Sequence, residues 1–272
     1  MNARTARSGD VELHWEREGS GDPVLLVMGL GMTATAWWRT VPVLAEQLTA
    51  ITFDNRGVGR SARPAGPFSV PQMADDAVAV LDAAEVDRAH VYGLSLGGMI
   101  SQEIALRHPQ RVMKLVLGAT TPGGASAAPI DDSILAFFSR RAEMPAEEAV
   151  WASVPYNYSR RTRSRHPDRI GQDIAQRLRY PIEPAPYRAQ LDAALSHDAA
   201  DRLAQIEAPT LVVHGTEDRL VPPENARILA DAIPGARAEL WEDAAHLYFT
   251  DEPEADRSVA RFLSERSSRG PS

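Results

Sequence analysis

The hexapeptide Gly93-Leu94-Ser95-Leu96-Gly97-Gly98 lies between a short β-prone run, residues 89–92, and a helix-prone run, residues 99–106. A serine in the pattern G-x-S-x-G at a strand-to-helix turn sits on strained backbone that exposes its hydroxyl above a sheet. Glycine is needed on both sides because a β-carbon at either place would crowd the turn. Gly and Ser are also common in ordinary βα turns, so the rest of the chain has to decide whether Ser95 is a nucleophile.

The composition is that of an ordinary globular protein, with 44% hydrophobic and 24% charged residues. A length of 272 residues suits one large domain or one domain with an insertion. The net charge of -8 argues against nucleic acid as a partner, because phosphates are held by Lys and Arg. The absence of cysteine excludes disulfides, thiolate metal sites and a cysteine nucleophile.

Neither end of the chain predicts targeting. Residues 1–10 carry arginines with no apolar segment behind them, so no secretory signal is expected. Residues 267–272 are interpreted as a frayed tail. The most apolar stretch, residues 24–32, is far shorter than the roughly 20 residues that span a bilayer. We therefore expect a cytoplasmic protein with no membrane partner.

Strand-like and helix-like runs alternate in the first 120 residues and again near the C-terminus. The strand-like runs are residues 11–16, 23–28, 50–53, 89–92, 112–117, 209–215 and 236–241. The helix-like runs are residues 37–48, 72–84, 99–106, 224–232 and 253–264. This alternation predicts an α/β fold with a mostly parallel sheet covered by helices on both faces.

The alternation stops between Thr121 and Asp198, where helical patches separated by prolines replace strand patterns. A segment of about 75 residues is too long for a plain loop. We therefore predict an α/β core from residues 1–120 and 199–272, and a helical cap from residues 121–198 that forms a pocket over Ser95.

A serine hydroxyl is an effective nucleophile only when a base removes its proton and a third group orients the base. In a parallel sheet such partners lie in loops at the carboxyl ends of strands. Among the seven histidines, His246 has this position, in the loop after the last strand pattern. The other six are interpreted as structural or exposed: His14, His90, His108, His166, His197 and His214.

The orienting acid is assigned to Asp218, in the loop directly after the penultimate strand. By default an aspartate in a loop is a turn or helix-cap residue, and Glu217 and Asp243 are rivals for the catalytic role. The chain order Ser95, Asp218, His246 is the order expected when a nucleophile elbow belongs to a catalytic triad.

Backbone N–H groups are expected to hold the negative charge that develops on a substrate carbonyl oxygen. One is the N–H of Leu96, directly after the nucleophile. The other is the N–H of Leu30, in the loop after the strand at residues 23–28. No cofactor and no metal site is expected.

With these residues identified, the chain resembles an α/β-hydrolase-fold enzyme of the branch that includes small-molecule esterases, enol-lactonases and haloperoxidase-like perhydrolases. The resemblance spans residues 9–265 and rests on five segments: residues 28–32, 53–61, 93–98, 214–218 and 245–246. The chain departs from the family at Met28, where a histidine is usual. That histidine generally supports the oxyanion loop, so the departure concerns the loop and not the mechanism. Residues 54–61 are interpreted as a structural turn.

The resemblance implies hydrolysis of a small carboxylic ester or lactone through an acyl-enzyme on Ser95, with acyl-homoserine lactones among the candidate substrates. A serine nucleophile argues against the haloalkane dehalogenases and epoxide hydrolases of this fold, which need a carboxylate there. Perhydrolase activity and C–C bond hydrolysis remain alternatives because they use the same triad. The oligomeric state is left open.

A different class of function also fits part of the sequence. Gly29-Leu30-Gly31-Met32-Thr33-Ala34 matches G-x-G-x-x-A after a strand, and Asp54 follows twenty residues after Ala34. A dinucleotide-binding oxidoreductase has its ribose-binding acid at about that distance. This alternative makes the order of the triad residues a coincidence and gives the insertion no role.

The insertion is expected to line the substrate pocket. Its aromatic residues suggest an apolar or acyl-bearing substrate, and we assign Trp151, Tyr156 and Tyr158 as candidate binding residues, although core packing is the default for each. The arginine-rich run at residues 160–165 is interpreted as a solvated face, with attraction of anionic substrates as the alternative.

Overall fold

The computed structural model describes residues 4–64 and 66–265, so the predicted tail at residues 267–272 lies outside the described residues. Its strands are β1 Arg4–Ser8, β2 Val11–Gly19, β3 Pro23–Val27, β4 Thr49–Phe53, β5 Ala89–Leu94, β6 Val112–Gly118, β7 Thr210–Gly215 and β8 Arg237–Trp241. They form one sheet in the order β1-β2-β4-β3-β5-β6-β7-β8. β2 is antiparallel to both of its neighbours, and all other pairs are parallel.

Helices connect the strands and cover the sheet. The described α-helices are α1 Thr40–Leu44, α2 Val70–Ala83, α3 Leu96–Arg107, α4 Asp132–Arg141, α5 Ala146–Ala152, α6 Val154–Asn157, α7 Arg160–Arg165, α8 Pro167–Arg177, α9 Pro184–Leu195, α10 Glu224–Ala232, α11 Tyr248–Asp251 and α12 Glu254–Ser264. Short 3-10 helices occur at Ala34–Trp37, Pro109–Arg111 and Ala200–Gln205. The predicted α/β class and mostly parallel sheet are confirmed.

The sheet is apolar on both faces because helices pack on both. In β3, Leu25 and Val27 belong to one apolar cluster, which includes residues of α2, α3 and α10. Val24 and Leu26 belong to the opposite cluster, with residues of α1 and α12. Successive strand residues point to opposite faces, so the uninterrupted apolar run of β3 records burial on two sides.

The structure differs from the sequence prediction in two places. The sequence patterns contain no strand at residues 4–8, because β1 has no apolar run. β1 forms because Arg4 to Ser8 pair along β2, with only Ala6 buried. The helix predicted at residues 37–48 is divided into the 3-10 turn Ala34–Trp37 and α1. Proline has no N–H to donate, so Pro42 is accommodated in the first turn of α1 rather than inside a longer helix.

The segment between β6 and β7 contains α4 to α9. We call residues 121–198 the insertion; a single bridge between Gly123 and Asp198 joins its two ends. Within residues 4–64 and 66–265, no helix combines the length and apolar character that crossing a membrane requires.

Candidate active site

Ser95 stands between β5 and α3 with φ 57° and ψ -120°. A residue with a side chain in such a sparsely populated region costs about 1–3 kcal/mol and persists only where its surroundings hold it. Here the Ser95 N–H donates to the carbonyl oxygen of Gly118 at 2.8 Å. The Thr120 hydroxyl donates to the Ser95 carbonyl oxygen at 2.7 Å. The strained turn is therefore held from the neighbouring strand β6 and the residues that follow it.

The flanking glycines allow this turn to close. A Cβ on Gly93 would lie 2.1 Å from the carbonyl oxygen of Gly97, and a Cβ on Gly97 would lie 2.0 Å from the carbonyl oxygen of Val27. Both distances are far below van der Waals contact, so steric exclusion accounts for the G-x-S-x-G spacing.

His246 lies in the loop between β8 and α11, and both of its neighbours are held through their N–H groups. Ala245 donates to Oδ2 of Asp251 at 2.7 Å. Leu247 donates to the carbonyl oxygen of Asn157, in the insertion, at 2.9 Å. The position of the imidazole therefore depends on both the core and the insertion.

Asp218 follows β7 and is 4% exposed. Its Oδ2 accepts from His246 Nδ1 at 2.8 Å and from His214 Nε2 at 3.1 Å. Its Oδ1 accepts from the N–H groups of Leu220 at 2.9 Å and Val221 at 3.1 Å. The carboxylate thus has four donors around it.

These donors determine the protonation of the pair. Burial would raise the pKa of Asp218, but the charge of His246 and the hydrogen bonds from His214 and His246 hold that pKa well below its usual range. An ionised carboxylate can only accept hydrogen bonds, so Nδ1 of His246 carries a proton. In a neutral imidazole that proton is the only one on the ring, so Nε2 keeps the lone pair that a base needs.

His214, which the sequence analysis interpreted as structural or exposed, lies against this acid. Its Nε2 is 3.1 Å from Oδ2 of Asp218 and 3.0 Å from the carbonyl oxygen of Val221. Both partners are acceptors, so Nε2 donates. The spacing of four residues between His214 and Asp218 across the turn after β7 is the only sequence signal that pointed to this contact.

The rival acids lie elsewhere. Glu217 accepts from the N–H of Arg160 through Oε2 at 3.1 Å. Asp243 is exposed, at a left-handed turn with φ 56°. Neither carboxylate bonds to His246 in the described part of the chain.

The loop after β3 passes beside Ser95, since a Cβ on Gly29 would lie 3.1 Å from the Ser95 Cβ. Gln190 of α9 holds this loop by accepting from the N–H of Gly31 at 2.9 Å. The N–H groups of Leu30 and Leu96 donate to no acceptor among residues 4–64 and 66–265. Leu96 is the first residue of α3, where N–H groups have no intrahelical partner.

Ser95 lines two cavities. The larger, about 270 Å³, is mostly apolar and also contacts Leu30 and Leu96. The smaller, about 50 Å³, contains His246 together with polar side chains of the insertion. Those polar side chains are Arg141, Ser153, Asn157 and Arg177. No sequence pattern singles out any of the four.

The three aromatic residues assigned to substrate binding lie outside both of these cavities. Trp151 is 52% exposed on α5, and Tyr158 is buried in the apolar cluster that also includes residues of α12. Tyr156 packs on Phe137, with ring centroids 4.4 Å apart. The aromatic residues of the insertion that line the smaller cavity are Phe137 and Phe138.

Asp54, the residue on which the dinucleotide-binding alternative depends, is completely buried. Its Oδ1 accepts from the N–H of Ala34 at 2.8 Å, and its Oδ2 accepts from Arg60 Nε at 2.9 Å. The 3-10 helix after the glycine loop has four residues, whereas phosphate binding uses the N-terminus of a full helix. Residues 54–61 form a structural turn.

Comparison with known proteins gives one fold and several reactions. A family model described as alpha/beta hydrolase fold matches residues 22–253. RutD of Azorhizobium caulinodans, assigned as a carbamate hydrolase, is 34% identical over 258 residues, which cover 92% of this chain and 93% of that protein. The 2-hydroxymuconate semialdehyde hydrolase of Pseudomonas sp. strain CF600 is 33% identical over 252 residues, which cover 84% of this chain and 81% of that protein. The crystal structure of the enol-lactonase from Burkholderia xenovorans LB400 matches with a TM-score of 0.86 and 25% identity, covering 96% of this chain and all of that one.

Proposed function

Because the chain belongs to the alpha/beta hydrolase family, we propose that it is a serine hydrolase that cleaves a small carboxylic ester or lactone. The observation that carries the proposal is the hydrogen bond of 2.8 Å between His246 Nδ1 and Asp218 Oδ2. Ser95 has the backbone of a nucleophile elbow, and Ser95 and His246 line one cavity.

In the proposed reaction, Ser95 Oγ attacks the substrate carbonyl carbon while His246 Nε2 takes the hydroxyl proton. Asp218 fixes the tautomer of His246 and stabilises the imidazolium that forms. The imidazolium then passes its proton to the leaving alcohol. Water attacks the acyl-enzyme by the same route and releases the acid.

In the proposed reaction, the backbone N–H groups of Leu30 and Leu96 donate hydrogen bonds to the negatively charged carbonyl oxygen. Both N–H groups lack a protein acceptor in the described residues, and both residues line the larger cavity with Ser95. Donors that are already oriented stabilise a tetrahedral intermediate without reorganisation.

The apolar lining of the larger cavity supports an acyl or alkyl group as one part of the substrate. The proteins that this chain is similar to include an enol-lactonase and a protein assigned as a carbamate hydrolase. Esters, lactones and carbamates all present a carbonyl carbon bonded to an oxygen leaving group, so a carbamate belongs among the substrates tested.

The test is a kinetic panel of 4-nitrophenyl esters of graded acyl length, several lactones and one aryl carbamate. Ser95→Ala should abolish hydrolysis and leave the melting temperature unchanged. Ser164 is exposed, so Ser164→Ala is the control and should hydrolyse the substrates as the wild type does. Hydrolysis that survives Ser95→Ala, or a wild type that cleaves none of these substrates, would refute the proposal.

Asp218→Asn should lower kcat by about three to four orders of magnitude, because asparagine favours the wrong tautomer of His246. Asp243→Asn is the matched control, since Asp243 also follows a strand of the sheet, β8, but is exposed. If Asp243→Asn or Glu217→Gln causes the loss and Asp218→Asn does not, the orienting acid is misassigned.

A further inference from the structure

Two buried arginines line the smaller cavity at Ser95. Arg141 ends α4 and Arg177 ends α8, and they are 7% and 8% exposed. In the part of the chain that the structure describes, neither forms an ion pair with an Asp or Glu side chain. Charged side chains are rarely buried unless they are paired.

Arg177 is held through one of its two terminal nitrogens. Nη2 donates to Ser153 Oγ at 3.1 Å. That hydroxyl donates to the carbonyl oxygen of Val150 at 2.7 Å and accepts from Asn157 Nδ2 at 3.1 Å. Nη1 of Arg177 is buried and has no acceptor among the described residues. The guanidinium is therefore fixed in place with a donor unused.

Arg141 is also held by few contacts. Its Nε donates to the carbonyl oxygen of Ala149 at 3.4 Å, and its guanidinium lies over the Tyr187 ring, 4.5 Å from the centroid. A Cβ on Gly31 would lie 3.2 Å from Nη1 of Arg141. The charge therefore lies beside the loop that carries the Leu30 N–H.

Asp173, four residues before Arg177 in α8, forms no ion pair with either arginine. Asp173 accepts instead from Trp38 Nε1 at 3.0 Å, from Arg39 Nε at 3.1 Å and from the Thr250 hydroxyl at 2.7 Å. Burial lowers the pKa of Arg177, and the charge of Arg141 lowers it further, although Tyr158 and Asp173 act in the opposite direction. The cavity thus carries positive charge that no side chain within it balances.

We propose that the substrate carries a carboxylate, and that this carboxylate occupies the smaller cavity against Arg141 and Arg177. The inference rests on the proposed function and specifies its substrate class. The planar guanidinium fork matches a carboxylate, and a cavity of about 50 Å³ admits a group of that size. The larger cavity, which Ser95 also lines, takes the apolar remainder. The substrate is a half-ester of a dicarboxylic acid, or a lactone that bears a carboxylate.

The first experiment compares two methyl esters of nearly the same shape by proton release. Monomethyl succinate ends in a carboxylate where methyl 4-methylpentanoate ends in an isopropyl group. The wild type should favour monomethyl succinate in kcat/KM. Arg177→Met and Arg141→Met should each reduce that preference at least about 10-fold, because each removes a hydrogen-bond donor to a buried charge.

Arg140→Met is the matched control. Arg140 precedes Arg141 in α4, is exposed and makes no side-chain hydrogen bond among the described residues, and its replacement changes the net charge equally. The preference should survive in Arg140→Met. Equal kcat/KM for the two esters in the wild type, or the same loss in all three variants, would overturn the carboxylate site.

A binding experiment separates this inference from the proposed function. Ser95→Ala, which should not turn over, is titrated by calorimetry with monomethyl succinate, methyl 4-methylpentanoate and inorganic phosphate. Tighter binding of monomethyl succinate, lost when Arg177→Met is added, supports the site even if the wild type fails to hydrolyse the esters. Binding of phosphate with equal affinity, or of the neutral ester with equal affinity, overturns it. A thermal melt of each variant confirms that it is folded.

Discussion

Asp256 is a buried acid whose replacement by asparagine should change the pH dependence of stability. It lies in the first turn of α12 and is 2% exposed. The Thr40 hydroxyl lies 3.0 Å and 3.2 Å from its two oxygens and can donate one hydrogen bond. Burial raises the pKa of Asp256 from 3.8 to about 7, although the Thr40 bond and the charge of Arg39 oppose the shift.

The raised pKa of Asp256 makes the folded protein less stable as the pH rises. As the pH rises from 3.8 to about 7, the unfolded chain releases a proton that the folded protein keeps, so the free energy of unfolding falls. A shift of about 3 units corresponds to about 4 kcal/mol in total. About 3 kcal/mol of this should be lost between about pH 5 and about pH 8.

Urea unfolding of the wild type and Asp256→Asn at those two pH values measures the effect. The stability of the variant relative to the wild type should increase by about 3 kcal/mol from the lower to the higher pH. Any fixed cost of burying the asparagine amide cancels in this comparison. Asp231→Asn, at an exposed site on α10, is the control. A stability difference between Asp256→Asn and the wild type that is the same at both pH values would refute the reasoning.

Two further predictions concern packing and a buried ion pair. Gly98→Ala should abolish ester hydrolysis and cost about 1–3 kcal/mol of stability, because the new Cβ would lie 2.5 Å from the Cβ of Thr120, which holds the Ser95 carbonyl. The same change at Gly171 in α8, where nothing lies within 4 Å, should stabilise the protein by up to about 1 kcal/mol; thermal melting and an ester assay check both, and equal effects would contradict the steric explanation. Asp76→Asn should lower the free energy of unfolding, measured in urea, by about 3–5 kcal/mol. The reason is that Arg56 donates to the two Asp76 oxygens at 2.6 Å and 2.7 Å and both residues are buried. A loss below about 1 kcal/mol would show that this ion pair does not stabilise the turn at residues 54–61.

The sheet and the strained turn at Ser95 could be predicted because both are recorded locally. An apolar run such as β3 reports burial on two faces, and the motif around Ser95 reports a steric requirement of its own turn. β1 could not be predicted, since only Ala6 of its five residues is buried and its pairing with β2 supplies what its composition does not.

The arginines of the smaller cavity were hidden for a different reason. Arg141 and Arg177 are the last residues of their helices, where a basic side chain is expected because it interacts favourably with the helix dipole. The exposed Arg140 and the buried Arg141 are adjacent in the same helix, and nothing in the local pattern distinguishes them. Only the packing of the insertion on the core shows which arginine is removed from water.

The same packing explains why membership of the family gives a reaction class and not a substrate. The insertion supplies four polar side chains of the smaller cavity, and it also holds the loops that contain His246 and Leu30. The Asn157 carbonyl accepts from Leu247 beside His246, and Gln190 accepts from Gly31 beside Leu30. A substitution in the insertion can therefore alter substrate binding through the cavity or alter chemistry through these two contacts. Changes confined to KM would point to the first, and parallel losses in kcat and kcat/KM to the second. The side chains of Arg141 and Arg177 reach the cavity without a hydrogen bond to either loop. Substitutions at these two residues therefore test substrate binding separately from the chemical step.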